Sequence, residues 1–276
     1  MGDLAADTAL DSLGDGRFRA VLKEDWEIWG PMGGYVAACA LRAAGAVSPH
    51  PLPATFFCHY LGVARFEPVD ITVTTRRTGR SATSLRVELS QHGVPVLEAM
   101  VWSTAEGQGL EHDETVAPAV PMPGELPGMD ELVPEDAPRP YRFWENLESK
   151  PIDFEPVWPP EGPRPAVWRQ WLRFQPTPTF SDPWVDAARH VILVDLPSWP
   201  SAHRRHAWSQ PPFTAPTLDL SVAFHQPAAG EEWLLCDGAA PLSTRGLFGW
   251  TARVWSPGGK LHASGGGQCL YRPTNR

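Results

Sequence analysis

A chain of 276 residues is long enough for one large domain or two fused small ones, and its 42% hydrophobic content excludes global disorder. The net charge of −9, from 23 basic and 32 acidic residues, argues against a nucleic-acid or anionic-membrane partner. No apolar run approaches the roughly 20 residues that span a bilayer, and the acidic start lacks a signal-peptide pattern. We therefore expect no membrane insertion and a cytoplasmic location.

The first part of the chain predicts one strand, one helix and four further strands. Arg17–Leu22 is typical of a strand, and Gly33, Gly34 and Tyr35 then open an Ala-rich apolar run that predicts a helix packed closely against a sheet. After it, apolar and polar residues alternate between Gly-containing turns, which indicates an antiparallel sheet. The predicted strands are Thr55–Leu61, Val69–Arg76, Leu85–Ser90 and Val94–Trp102.

A proline-rich segment follows these strands. Thirteen of the 31 prolines fall between Ala117 and Pro165. Because proline fixes φ and has no backbone N–H, this segment cannot form a continuous helix or a central strand. We interpret residues 117–165 as a connector between an N-terminal repeat, residues 1–116, and a C-terminal repeat, residues 166–276.

The second half repeats the order of the first. Val167–Phe174 is typical of a strand, and Ser181-Asp182-Pro183 predicts the start of a helix that continues over Trp184–Leu196. Four more strands are predicted, at Thr217–His225, Trp233–Cys236, Gly249–Trp255 and Lys260–Tyr271. This internal duplication of about 100 residues predicts an α+β fold, in which one helix is held against a curved antiparallel sheet, twice over.

Several short motifs appear in order across the two halves. They are Gly33-Gly34 before the Ala-rich helix, the turn Gly79-Arg80-Ser81, Leu218–His225 followed by Glu232–Leu235, Arg245-Gly246, Gly259–Ser264, and Gln268 with Arg272. Together they resemble the double hot-dog acyl-CoA thioesterases of the thioesterase II type. The resemblance implies two hot-dog repeats, each a central helix wrapped by an antiparallel sheet, with the sheets joined edge to edge. It also implies hydrolysis of an acyl-CoA thioester to free acid and CoA by an oriented water.

The same resemblance implies an Asp, a Thr or Ser, and a Gln around the attacking water. Transferred residue by residue, the Asp falls on Asp219 and the Gln on Gln268, or within one residue of it. Asp219 stands on an otherwise apolar strand, where an unpaired carboxylate is costly to bury. An Asp on the solvated face and a Gln on an edge strand are the structural alternatives.

The hydroxyl of the implied site has no direct counterpart in this sequence. Its position falls on Ala239, Ala240 or Pro241, and the nearest hydroxyls, Ser243 and Thr244, follow two to four positions later. Ser243 and Thr244 are therefore candidate site residues. They are also typical of a turn before a glycine.

The start of the first-half helix is a candidate oxyanion site. Backbone N–H groups at a helix N-terminus are unpaired and lie at the positive end of the helix dipole. Gly33 and Gly34 would let a thioester oxygen approach them, and Tyr35 could line the pocket. The alternative is that both glycines serve only close packing of helix and sheet.

We expect no metal and no cofactor. The four cysteines form no C-x-x-C pair, and no G-x-S-x-G or P-loop motif is present. A non-catalytic acyl-CoA or acyl-chain binding protein of the same fold, and a hot-dog enzyme resembling enoyl-CoA hydratase, are the alternative functions. Because hot-dog sheets end in edges that another copy can cover, a homo-oligomer, either dimer or tetramer, is expected.

Overall fold

The computed structural model describes residues 1–133, 141–155, 162–206 and 213–273. Within these ranges the helices are α1 (Leu4–Asp7), α2 (Gly33–Val47), α3 (Met129–Leu132), α4 (Pro183–Asp195) and α5 (Ser198–Arg204). Short 3₁₀ helices lie at Glu24–Trp26, Pro123–Glu125 and Arg142–Asn146. The strands are β1 (Asp11–Gly14), β2 (Arg17–Val21), β3 (Leu52–Tyr60), β4 (Pro68–Thr78), β5 (Ala82–Gln91), β6 (Val94–Thr104), β7 (Leu147–Pro151), β8 (Val167–Phe174), β9 (Phe213–Thr214), β10 (Asp219–Phe224), β11 (Leu234–Thr244), β12 (Leu247–Trp255), β13 (Leu261–Leu270) and β14 (Arg272–Pro273).

All of these strands except β9 and β14 form one antiparallel sheet that is symmetric about its centre. Its order is β1, β2, β4, β5, β6, β3, β10, β13, β12, β11, β8, β7, so the second half repeats the strand order of the first. The halves join where β3 pairs with β10, from Thr55 opposite Ala223 to His59 opposite Asp219. The predicted double hot-dog α+β architecture is confirmed.

The two long helices cover the same face of the sheet and run antiparallel in direct contact. Each packs on the strands of its own half, and α4 also contacts β3. The start of α2 contacts the end of α4: the Gly34 backbone lies so close that a Cβ there would be 2.9 Å from the Ile192 Cα. At the other end, a Cβ on Gly45 would lie 2.5 Å from the Trp184 ring. Absent side chains at these two glycines are therefore what lets the helices touch.

Besides the short strands β1, β9 and β14, which the sequence patterns do not predict, two strands differ from their sequence predictions. β11 runs eight residues beyond the predicted end at Cys236, to Thr244, because the irregular pairing with β12 between Ala239 and Leu242 accommodates Pro241. Proline is tolerated in a sheet at such an irregularity. Inside the proline-rich segment, Leu147–Pro151 forms β7 at the edge of the sheet, paired with β8. The boundaries of the connector at residues 117 and 165 stay predictions.

Replacing Gly45 by alanine tests the helix contact. In an open helix this change would stabilise the protein by up to about 1 kcal/mol. Here the new Cβ would overlap the Trp184 ring, and overpacking of a dense core costs about 1–3 kcal/mol. We predict that Gly45→Ala lowers the free energy of unfolding in a denaturant titration. The control is Gly230→Ala, whose Cβ would have no atom within 4 Å and should leave stability unchanged. A Gly45→Ala protein more stable than wild type would contradict the packing described.

Candidate active site

A buried carboxylate lies where the two halves of the protein meet. Asp195 is the last residue of α4 and only 7% exposed. Its Oδ2 accepts a hydrogen bond of 2.7 Å from the backbone N–H of Gly34, in the first turn of α2. N–H groups there have no partner within their own helix, and the positive end of the helix dipole favours a negative charge. The second repeat thus places its carboxylate on the helix start of the first.

The second carboxylate oxygen has no such support. Asp195 Oδ1 is buried and forms no hydrogen bond within the part of the chain that the structure describes. Burial raises the pKa of Asp195 to about 6, while the hydrogen bond from the Gly34 N–H acts in the opposite direction. The group is therefore ionised at neutral pH with one free acceptor oxygen. Such a buried, half-satisfied carboxylate marks a candidate functional site.

Because Gly33 and Gly34 have no side chains, the Asp195 carboxylate and the Tyr60 hydroxyl can lie close to the start of α2. A Cβ on Gly33 would lie 3.1 Å from Asp195 Oδ2 and 3.3 Å from Tyr60 Oη, so any side chain there would crowd both. Of the two predicted oxyanion donors, the Gly34 N–H is already used, because it donates a hydrogen bond to Asp195. The N–H of Gly33, which is partly exposed, donates no hydrogen bond to any residue in the described ranges. It is the free donor at this helix start.

Tyr60 and two cysteines complete the surroundings of Asp195. Burial raises the pKa of the Tyr60 phenol well above its ordinary value, and the charge of Asp195 adds to this effect. Burial likewise raises the pKa of the Cys58 thiol, and raises that of Cys269 to about 12. All three groups are thus protonated at neutral pH. Asp195 is therefore the charged group of this cluster. The two cysteines are not candidate nucleophiles, because a protonated thiol is a poor nucleophile.

Asp219 and Gln268, the predicted catalytic pair, lie together but on the other side of the sheet. Asp219 Oδ1 accepts a hydrogen bond of 2.7 Å from the backbone N–H of Gln268. In β10, Leu220 and Val222 are buried toward the helices, so the alternation of the strand directs Asp219 to the opposite face. The Gln268 side chain is exposed and lies against Gly249. Neither side chain is therefore placed beside Asp195.

The remaining predicted site residues lie elsewhere. Ser243 and Thr244 are exposed, near the turn between β11 and β12, where they pair with Phe248 and Leu247. Tyr35 is fully buried, and its hydroxyl donates to the Asp7 carbonyl and accepts from the Lys23 N–H. The predicted pocket-lining role of Tyr35 is therefore corrected, because this ring is part of the core.

A signal for Asp195 was present in the sequence. Ile192, Leu193 and Val194 precede it, and an acidic residue at the end of a helix meets the negative end of the helix dipole. A residue that opposes its local setting is often functional. The partner that makes the position favourable, the Gly34 N–H, is 161 positions away in the chain.

In the described ranges, no three His, Cys, Asp or Glu side chains lie close enough together to hold a metal ion. Among the same residues, none of the helices combines the length and apolar character that crossing a bilayer requires.

Comparison with protein families identifies the class of this chain. The model of the acyl-CoA thioesterase N-terminal domain matches residues 22–104, and that of the acyl-CoA thioesterase C-terminal domain matches residues 116–266. The chain belongs to the acyl-CoA thioesterase family. The predicted function, hydrolysis of an acyl-CoA thioester to free acid and CoA, is confirmed by this membership. The alternatives of a non-catalytic binding protein and an enoyl-CoA hydratase are not supported by it.

Individual relatives agree with the family match. The chain is 25% identical to acyl-coenzyme A thioesterase 8 of Homo sapiens over 260 residues, which cover 83% of this chain and 76% of that protein. Its fold is similar to the crystal structure of an acyl-CoA thioesterase II from Mycobacterium marinum, with a TM-score of 0.80, 23% identity and 99% of each chain covered. A hot-dog protein of unknown function from Alicyclobacillus acidocaldarius gives a TM-score of 0.81 at 23% identity, with both chains fully covered.

The raised pKa of Asp195 predicts a pH-dependent effect on stability. Because the folded-state pKa of about 6 exceeds the ordinary Asp value of 3.8, the folded protein binds the proton more tightly. The stability that this group contributes is full below pH 4 and is lost as the pH rises through 6. Asp195→Asn removes this dependence. We predict that the variant matches wild type near pH 4 and exceeds it by up to about 3 kcal/mol at pH 8. Urea titrations at several pH values measure this difference, and a difference that does not vary with pH would contradict the prediction.

Proposed function

We propose that this acyl-CoA thioesterase hydrolyses its substrate at the contact between Asp195 and the start of α2. The observation that carries the proposal is the buried Asp195 carboxylate, with Oδ2 fixed by the Gly34 N–H and Oδ1 free. A fixed carboxylate with one open acceptor can hold a water and take its proton. Hydrolysis needs such a base because water alone is a weak nucleophile toward a thioester carbonyl.

Asp195 acts as the general base in this proposal. The water oxygen bonds to the thioester carbonyl carbon while its proton passes to Asp195 Oδ1. The C–S bond then breaks, and the CoA sulfur receives the proton from Asp195, so that free acid and CoA leave. A carboxyl whose pKa is about 6 suits both transfers near neutral pH, because the catalytic pKa should lie near the operating pH.

Gly33 supplies a donor for the oxyanion. As the thioester carbonyl is attacked, negative charge develops on its oxygen, and preorganised N–H groups stabilise that charge. The Gly33 N–H is free, partly exposed and at the positive end of α2. Its neighbour Gly34 holds the base, so adjacent residues of one helix start serve the base and the oxyanion.

The helix starts of the two repeats support one site per chain. At the start of α4, Pro183 has no N–H, and the Asp182 carboxylate already accepts from Trp184 and Val185 at 2.8 and 3.3 Å. A cavity of about 130 Å³ lies near this end, but the Asp186 carboxylate at its wall is bound by Arg189 and by the Ala228 N–H. In the described ranges this helix start therefore offers neither a free backbone N–H nor a free carboxylate, and the unpaired buried groups beside it are Arg189 Nε and His190 Nε2.

Matched Asp to Asn substitutions distinguish the two candidate bases. Asp195→Asn keeps an oxygen for the Gly34 N–H but cannot accept the proton, so we expect kcat to fall by about 10²-fold or more. Asp219→Asn should leave kcat within about twofold of wild type, because its side chain lies on the opposite face of the sheet. A thiol-release assay on both variants measures this. Loss of activity in the Asp219 variant with retention in the Asp195 variant would restore Asp219 as the base.

The acyl-CoA substrate follows from the family, whereas the assembly and location of the enzyme are further proposals. We propose a homo-oligomer, dimer or tetramer, in the cytoplasm. Phe57, Met100 and Trp102 support a second copy, because they lie on neighbouring strands of the outer sheet face and are each about two-fifths exposed. Apolar patches of this kind favour protein contacts.

The oligomer is tested by light scattering at micromolar concentration. We predict a mass of at least two chains for the wild type and a lower mass for Met100→Glu, which places a charge in the middle of the outer apolar patch. Leu110→Glu, at a fully exposed loop position, is the control and should leave the mass unchanged. A single-chain mass for the wild type would refute the proposal.

A further inference from the structure

Tyr60 lies at the end of β3, and in the described ranges its hydroxyl has only the weak Cys58 thiol as a partner. Its Oη is buried and forms no hydrogen bond of normal geometry in the described ranges. The Cys58 thiol is beside it, but a thiol is only a weak donor and acceptor. The contrast is Tyr35, whose equally inaccessible hydroxyl has two backbone partners. Buried polar atoms are normally paired, so the unpaired Tyr60 Oη calls for a partner.

The missing partner is indicated by the neighbouring carboxylate. Asp195 Oδ1 is also buried and unpaired, and both residues approach the same glycine, since a Cβ on Gly33 would contact Asp195 Oδ2 and Tyr60 Oη. One atom is a donor and the other an acceptor. A water between such groups would satisfy both, because it can donate to the carboxylate and accept from the phenol.

We propose that the Tyr60 hydroxyl donates a hydrogen bond to the oxygen of the attacking water that Asp195 holds. This inference rests on the proposed function of Asp195 and adds a second catalytic residue to it. One water proton points to Asp195 Oδ1, and one oxygen lone pair accepts from Tyr60. The other lone pair is left to face the thioester carbon.

The phenol keeps its proton throughout the reaction. The water proton moves to Asp195 as the new C–O bond forms, and it leaves on the CoA sulfur after the C–S bond breaks. Tyr60 therefore orients the nucleophile and exchanges no proton. The raised pKa of the phenol is consistent with this role, because the phenol stays a donor at neutral pH, where Asp195 is ionised.

Removing the inaccessible hydroxyl of each of two tyrosines tests the proposal. Tyr60→Phe should lower kcat by about 100-fold, the effect of losing one catalytic donor, with KM within about twofold. Its Tm should fall little, because the partner of this hydroxyl in the described ranges is the Cys58 thiol, and a thiol is only a weak acceptor. Tyr35→Phe is the matched control, since it loses two hydrogen bonds, with the Asp7 carbonyl and the Lys23 N–H, and neither involves Asp195. It should have a lower Tm and an unchanged kcat.

The assays are thiol release from acetyl-, octanoyl- and palmitoyl-CoA, and calorimetric binding of a non-hydrolysable thioether analogue of the best of these substrates. We expect Tyr60→Phe to bind the analogue as wild type does. A Tyr60→Phe kcat within about twofold of wild type would overturn the inference. A fall in Tm together with weaker analogue binding would also overturn it, because the hydroxyl would then be structural.

Asp195→Asn separates this inference from the function on which it rests. If Asp195→Asn is inactive and Tyr60→Phe is fully active, the role of Tyr60 is wrong while that of Asp195 stands. If Asp195→Asn keeps full activity, the proposed base is wrong, and the role of Tyr60 falls with it. Loss of kcat in both variants, with Tyr35→Phe active, supports both.

Discussion

The hydrogen bond between Asp195 and the Gly34 N–H depends on the direct contact of two antiparallel helices. Gly34 packs on the Ile192 backbone and Gly45 on the Trp184 ring, so the helix axes approach more closely than ordinary side chains allow. This contact fixes the end of one helix against the start of the other. A carboxylate at one helix end can then be buried, because the N–H groups of the facing helix compensate part of its lost hydration.

Duplication alone would give two equivalent helix junctions, that is, places where the start of one long helix contacts the end of the other. The sequences of the two helix starts make them different. One repeat begins its helix with glycines and the other with Asp182-Pro183, which caps its own N–H groups. The helix start with glycines binds the carboxylate of Asp195 from the other repeat. At the other helix start, the Asp182 side chain already accepts from the backbone N–H groups. Within the described ranges, a symmetric fold thus has an uncapped helix start at one of these two contacts only, through differences at a few residues.

The fold was predictable from local sequence patterns, whereas of the candidate site only the helix start at Gly33 and Gly34 was. Alternation and glycine turns located the strands from Arg17 onward, although the irregularity at Pro241 concealed the second half of β11. Asp219 is an acid in an apolar strand, which favours a functional role, yet Leu220 and Val222 are buried and Asp219 therefore lies on the other face of the sheet. Asp195 and Tyr60 gain their properties from partners distant in the chain. The implied hydroxyl of β11 is missing at Ala239 and Ala240, and the hydroxyl that we propose to bind the water, that of Tyr60, comes from β3.

The pairing of β3 with β10 has a consequence for how the two repeats depend on each other. β3 carries apolar residues such as Phe56 and Cys58, and in a separated first repeat its edge would present unpaired backbone groups. Such an exposed edge can pair with a strand of any other chain, which leads to aggregation. Because the repeats share one polypeptide, the correct strand is present at a high effective concentration, independent of how much protein the cell makes. Covalent fusion therefore protects an aggregation-prone edge during synthesis and, by ensuring that unlike halves always meet, allows each repeat to specialise.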